Sequence, residues 1–303
     1  MAAPDHFALA LDGFIDAGSC VLVQDTMRAS AVFVMQALLR RALSQGDKVL
    51  LVALETSLEK YSYCLRKLGV NLQQHVDSRQ LVVIGAGDAG LAGWSLEGGG
   101  DALAALHARL ADAVRDASSS SSSSGSECDT SATPRSDERG GGAASTGTSG
   151  RVTVLLDNVS ALSAYQDDAR SWLAFLQQLT ALGRHAVRGK HGDGCPTTVV
   201  LLAHGDVPGD EAWLRWLRHC CDAALDVDAL DGKIADIDGT VTVTRRGLQV
   251  VAAGGGCRGG AGGAGAGLVR RDEALEVQRR LYFRAGEISV KYFQASDLMS
   301  VAR

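Results

Sequence analysis

The sequence lacks an excess of positive charge, a long apolar run and any Cys-x-x-Cys pair. Its 303 residues carry a formal net charge of -5, so no overall field attracts nucleic acid or an anionic membrane. Its longest apolar runs, such as residues 49–54, are far too short to cross a bilayer. Residues 1–5 contain no basic segment leading into an apolar one, so no secretory signal is expected. We therefore expect a protein of the cytoplasm, with the nucleus as a second location.

Cysteine is present, but not in a pattern typical of a metal site or a disulfide framework. The chain has 7 cysteines, an odd number, and we predict reduced thiols. His219, Cys220 and Cys221 are consecutive, but successive residues of a helix point about 100° apart and cannot share one metal ion. The sequence therefore predicts no metal and no cofactor.

The most informative absence is that of a phosphate-binding loop. Residues 20–25 form a short apolar run typical of a buried strand, and a long apolar helix pattern follows. In a nucleotide-hydrolysing α/β domain such a strand leads into G-x-x-x-x-G-K-[ST]. Here residues 24–30 contain neither glycine nor lysine, and Arg28 is their only cation. Asp25 would repel a phosphate at about 4 Å by roughly 1–4 kcal/mol. We therefore predict that the chain is not an enzyme.

The order of the apolar patterns predicts the fold. Short buried-strand patterns alternate with helical patterns and occupy residues 20–25, 48–54, 80–86, 152–157 and 197–203. This alternation predicts an α/β fold with a mostly parallel sheet flanked by helices. An alternating strand at 240–244 and a hairpin at 281–293 predict antiparallel strands at the C-terminal edge. The arrangement resembles the RecA-like domain.

Two segments of low complexity interrupt these patterns. Residues 117–150 contain a serine run and almost no large apolar side chain, which predicts a disordered insert. Residues 252–267 are rich in glycine and predict a second surface loop. The insert lies between a helix pattern and a strand pattern, and such insertions cost little closure entropy. We therefore predict a single domain over residues 1–303.

Three polar residues stand at the ends of predicted strands and are candidates for chemistry. Asp157 could organise magnesium or simply cap the backbone, and Glu55 could activate a water or mark a helix entry. His204 ends another strand, where it could sense a ligand or form a structural hydrogen bond. Because no phosphate-binding lysine accompanies them, we favour the structural role for each.

A cluster of basic residues is the candidate RNA contact. Arg184, Arg188 and Lys190 occupy a glycine-containing segment between a helix and a strand. Such groups can touch a phosphate backbone, although most are solvated surface. The loops after strands 152–157 and 197–203, which grip single-stranded DNA in RecA-like filaments, are acidic here. That charge argues against the same mode of DNA binding.

Several stretches, taken in order, are similar to the family of the sixth subunit of the Elongator complex. They are residues 21–25 followed directly by a helix, 48–55, 61–70, 80–84, 155–162 and 287–293. The resemblance implies a RecA-like fold without nucleotide motifs. It also implies assembly with Elongator subunits four and five into a hetero-hexameric ring that binds tRNA and supports wobble-uridine modification. The alternatives are a nonstandard RecA-like ATPase, built on Arg28, Glu55 and Asp157, and a recombination-accessory paralogue.

Overall fold

Nine strands and seven helices are assigned in the part of the chain that the structure, a computed structural model, describes. That part comprises residues 7, 11, 13–85, 99–119, 150–163, 168–185, 196–230, 237–247, 275–286 and 290–294. The strands are β1 (Cys20–Asp25), β2 (Lys48–Ala53), β3 (Leu81–Gly85), β4 (Val152–Asp157), β5 (Thr197–His204), β6 (Ala223–Ala229), β7 (Gly239–Gly247), β8 (Leu275–Ala285) and β9 (Val290–Phe293). The helices are α1 (Val32–Ser44), α2 (Leu58–Lys67), α3 (Leu72–Asp77), α4 (Gly99–Ser119), α5 (Val159–Ser163), α6 (Ala169–His185) and α7 (Glu211–Cys220).

The strands form one nine-stranded sheet in the order β3-β2-β4-β5-β1-β6-β7-β8-β9. The first six strands in that order pair in parallel. The last three strands, β7, β8 and β9, add in antiparallel fashion at one side. The predicted α/β fold, with a mostly parallel sheet and antiparallel C-terminal strands, is confirmed.

Helices cover both faces of the sheet and create two apolar cores. Alternate residues of β1 show the division, because Val21 and Val23 pack in one core and Cys20 and Leu22 in the other. Helices α1 and α2 supply the first core, and α4, α6 and α7 supply the second. Burial on both faces explains why the parallel strands are continuously apolar in sequence. None of the described helices is both long and apolar enough to span a membrane.

Strand β6 is the main element that the apolar patterns did not predict. Its sequence is AALDVDA, in which Asp226 and Asp228 alternate with Leu225 and Val227. Alanine and aspartate are poor strand formers, but the strand is held between β1 and β7. The period-two alternation was the available signal. Helix α4 continues to Ser119, while residues 120–149 and 252–267 lie outside the described residues.

Candidate functional site

The carboxyl ends of four neighbouring parallel strands meet at one edge of the sheet and bring the candidate residues together. Asp25 ends β1, Asp157 ends β4 and His204 ends β5, while Glu55 follows β2 by two residues. This is the edge at which open α/β sheets bind ligands. The fold therefore joins Glu55, Asp157 and His204, as their positions after strands indicated.

The Asp25 carboxylate occupies the N-terminus of α1. The side chain is 2% exposed, and its Oδ2 atom accepts a hydrogen bond of 2.7 Å from the backbone N–H of Ala31. Its Oδ1 atom lies 2.6 Å from Nδ1 of His204. A helix N-terminus with unpaired N–H groups is where phosphate-binding folds hold their anion. In this protein a carboxylate of the chain itself takes that place.

Backbone N–H groups of the turn between β1 and α1 are hydrogen-bonded within the protein. Thr26 and Ala29 exchange backbone hydrogen bonds of 3.3 and 3.0 Å, and the N–H of Met27 donates to Oδ2 of Asp206 at 2.8 Å. These N–H groups therefore have acceptors within the protein. A phosphate loop works in the opposite way, because its N–H groups converge on the bound anion.

His204 lies between two carboxylates. Its Nδ1 atom pairs with Asp25, and its Nε2 atom lies 3.1 Å from Oε2 of Glu55. The hydrogen bond with Asp25 and the charges of both carboxylates outweigh partial burial and raise the pKa of His204 to about 9. At neutral pH the imidazolium ties together the ends of β1, β2 and β5.

Asn158 completes this network, although sequence reasoning did not select it. The residue is fully buried, and its Nδ2 atom donates to Oε2 of Glu55 at 2.7 Å. The same nitrogen lies 2.6 Å from Nε2 of His204, so protonated His204 brings two donors together there. This contact therefore works against the protonation of His204 that Asp25 and Glu55 favour. The Asn158 Oδ1 atom accepts from the N–H of Ser160 at 2.7 Å. Its position directly after β4, beside Asp157, was the only signal in the sequence.

The side chain of Asp157 is hydrogen-bonded to a residue of helix α2. Its Oδ2 atom accepts a hydrogen bond of 2.7 Å from the hydroxyl of Tyr61, whereas its Oδ1 atom is buried without a hydrogen-bond partner. Burial is the main cause that raises the pKa of the Asp157 carboxyl, and burial together with Asp157 raises the pKa of Tyr61. The pair therefore anchors α2 to the end of β4. Within the described ranges, no group of three or more His, Cys, Asp or Glu residues is arranged to hold a metal ion.

The predicted RNA contact is not described by the structure. Arg184 belongs to the last turn of α6, and its side chain is not among those described. Arg188 and Lys190 lie outside the described residues. This contact stays a prediction.

Comparisons with known proteins agree with the fold and point to one family. The model of the family described as Elongation complex protein 6 matches residues 10–254. No curated protein matches the chain by sequence. A KaiC-like protein of Pyrococcus horikoshii has a TM-score of 0.52 and 11% identity, covering 93% of this chain and 92% of its own. An uncharacterised protein of Pyrococcus horikoshii, solved with an unknown peptide, has a TM-score of 0.56 and 12% identity, covering 94% and 96%. At such identities these two structures show the fold alone, which is RecA-like.

Proposed function

The chain belongs to the family of Elongation complex protein 6, and we propose that it is a non-catalytic subunit of the Elongator complex. In this proposal it assembles with subunits four and five into a RecA-like hetero-hexameric ring. The ring binds tRNA and supports modification of the wobble uridine, and it acts in the cytoplasm, with the nucleus as a second location. Family membership supports the assembly, while the geometry of the sheet edge supports the absence of catalysis.

The observation that carries the non-catalytic role is the Asp25 carboxylate at the start of α1. A phosphate at that helix N-terminus would have to displace the hydrogen bond from Ala31 to Asp25. It would also lie beside the buried carboxylate of Asp25. Two isolated like charges at about 4 Å repel by roughly 4 kcal/mol at the effective dielectric of a protein surface, and the ion pair of Asp25 with His204 reduces this repulsion. Neither a lysine nor a glycine is present in residues 24–30 to offset this cost. We therefore expect no appreciable binding of magnesium-ATP.

A thermal-shift titration with magnesium-ATP tests this part of the proposal. A ligand that binds only the folded state at about 100 times its Kd stabilises by about 2.7 kcal/mol, which is readily seen as a rise in melting temperature. We expect no rise and no hydrolysis above background. Turnover that is abolished by Asp157→Ala, but kept by the surface variant Glu59→Ala, would instead establish the ATPase alternative.

The assembly and its purpose need separate experiments. Purification of the tagged chain from cells is expected to recover Elongator subunits four and five, and cells without the chain are expected to lose wobble-uridine modification. Normal modification in such cells would refute the proposed function.

The RNA contact is tested on the assembled ring. Reversing the charges of Arg184, Arg188 and Lys190 together should weaken tRNA binding and flatten its salt dependence, because each lost phosphate contact lowers the slope. Unchanged tRNA binding would remove this segment from the proposal. The chain alone, with its net charge of -5, should bind tRNA weakly.

A further inference from the structure

Two buried thiols are in contact in the second apolar core. The Sγ atom of Cys20, the first residue of β1, lies 3.4 Å from the Sγ atom of Cys221, which directly follows α7. The two residues are 1% and 3% exposed, and both are free thiols. Either thiol can donate a hydrogen bond to the other. Cys20 stands at the amino end of β1, so this pair is separate from the network at the carboxyl edge of the sheet.

The backbone holds the two cysteines side by side. The N–H of Cys20 donates to Oδ2 of Asp222 at 2.8 Å, and the N–H of Asp222 donates to the carbonyl of Cys20, also at 2.8 Å. The next residues, Val21 and Ala223, are paired positions of β1 and β6. Neighbouring strands lie about 4.8 Å apart, and a disulfide joins Cα atoms that are about 4.4–6.8 Å apart. A bond between the two sulfur atoms is therefore compatible with the pairing of β1 and β6.

A small polar cavity reaches Cys221. It has a volume of about 10 Å³, and its walls include Cys221, Thr244, Arg218 and Arg246. The hydroxyl oxygen of Thr244 is buried and has no hydrogen-bond partner among the described residues, so it is available to a small polar molecule. The volume suits a single water molecule, and hydrogen peroxide, with two oxygen atoms, is only slightly larger. Glutathione disulfide, which consists of two peptides, is far too large to enter.

We propose that Cys20 and Cys221 are a peroxide-sensitive pair, in which hydrogen peroxide is the oxidant and an intramolecular disulfide is the product. The disulfide crosslinks the start of β1 to the end of α7. This modification goes beyond the proposed function and is independent of it, because it involves neither another subunit nor RNA.

The reaction has two steps and consumes one molecule of peroxide. The Cys221 thiol loses its proton, and its sulfur attacks one peroxide oxygen. The O–O bond breaks, and the leaving hydroxide takes up that proton, which gives water and a sulfenic acid on Cys221. The sulfur of Cys20 then attacks the sulfur of Cys221, the S–O bond breaks, and the leaving hydroxide takes the proton of Cys20 to form a second water. The two sulfur atoms together lose two electrons, and the peroxide gains them.

The surroundings of Cys221 make the reaction slow at a low peroxide concentration. The hydrogen bond with Cys20, burial and the negative charge of Asp222 raise the pKa of the Cys221 thiol. The thiolate, which is the reactive form, is therefore scarce at neutral pH. We expect the pair to remain reduced under ordinary reducing conditions and to be oxidised when peroxide is abundant.

Peptide mapping of the purified full-length chain under non-reducing conditions tests the proposal. After exposure to hydrogen peroxide for on the order of an hour, the peptides that contain Cys20 and Cys221 should be joined in most molecules. Dithiothreitol should separate them again. Glutathione disulfide at the same concentration should join them at least about tenfold more slowly, because it does not fit the cavity. A variant that keeps Cys20 and Cys221 and has serine at the other cysteines should form the same crosslink.

Cys220 provides the matched control. It is adjacent to Cys221 but only partly buried, so it is closer to solvent. Cys220→Ser should leave the crosslink between Cys20 and Cys221 intact, whereas Cys221→Ala should abolish it. Because the crosslink joins residues that are 201 positions apart, the oxidised wild type should melt several degrees above the reduced wild type.

The outcomes test each part of the proposal. No crosslink in the wild type after peroxide treatment, or a crosslink through Cys220 in place of Cys221, would overturn it. Equal rates with hydrogen peroxide and glutathione disulfide would overturn access through the cavity. A crosslinked chain that melts no higher than the reduced chain would overturn the stabilising connection between β1 and α7. The proposed function stands or falls separately, on the recovery of Elongator subunits four and five.

Discussion

Replacing His204 with glutamine should remove a stabilisation that depends on pH. In the folded protein the pKa of His204 is about 9, against 6.5 for the unperturbed group. At about 1.4 kcal/mol per pKa unit, this difference corresponds to roughly 3 kcal/mol. The side chain is 30% exposed, and solvent screening reduces the expected value to about 1–2 kcal/mol.

The sign of the pH dependence follows from the raised pKa. Below pH 6.5 the imidazole is charged in both the folded and the unfolded chain, and the stabilisation by Asp25 and Glu55 is fully present. As the pH rises to about 9, the unfolded chain loses this proton first and the stabilisation disappears. Urea unfolding of the wild type across this window should therefore show a loss of about 1–2 kcal/mol beyond that of His204→Gln.

A second histidine provides the control. Burial lowers the pKa of His107, so this residue contributes a change of the opposite sign. His107→Gln should therefore keep the alkaline loss that His204→Gln removes. If the wild type and His204→Gln show parallel stability profiles between pH 6.5 and about 9, the ion-paired network at the sheet edge does not stabilise the fold as argued.

Three further predictions concern stability, each measured by chemical or thermal unfolding. Tyr61→Phe should cost about 1–3 kcal/mol because it removes the hydroxyl that donates to buried Asp157. Tyr63→Phe, at a residue that is 50% exposed, should cost less than about 0.5 kcal/mol, and equal costs would contradict the role of Asp157. Replacing residues 118–149 with a short Gly-Ser linker should leave the melting temperature nearly unchanged. The carbonyls of Ala117 and Arg151, on the two sides of this segment, both accept hydrogen bonds from Lys48, so the ends that the linker must join lie close together. A drop of many degrees would show that the segment is structural. Gly239→Ala should cost about 1–3 kcal/mol because the new methyl group would overlap the carbonyl of Asp228 and the ring of Phe283; Gly205→Ala, whose nearest neighbour would be at 3.3 Å, is the milder comparison, and the reverse order of costs would refute the packing argument.

The apolar runs were sufficient to predict five of the six parallel strands, β1 to β5. Strands that are buried on both faces must be apolar at consecutive positions, so β1, β2, β4 and β5 are visible as short runs such as Val152–Asp157. Strand β6 was not visible, because its pairing with β1 and β7 outweighs the weak strand propensity of its alanines and aspartates. Pairing between distant strands is a tertiary effect that local propensity does not contain.

The sequence by itself also determined that the usual phosphate loop is absent, because that loop depends on residue types that residues 24–30 do not have. It placed Glu55, Asp157 and His204 after strands, where a parallel sheet brings side chains to one edge. It did not show that Asp25 takes the phosphate position or that Asp157 binds Tyr61.

Only the tertiary structure decided these contacts. Asp25 and His204 are separated by 179 positions and Tyr61 and Asp157 by 96. The strand order brings the first pair into hydrogen-bond reach, and the packing of helix α2 against the end of β4 brings the second. A hydrogen bond requires its donor and acceptor within about 3 Å, and the sequence does not specify such a distance between remote residues. The residue types determined which chemistry the sheet edge lacks, and the packing of strands and helices decided which contacts replace it.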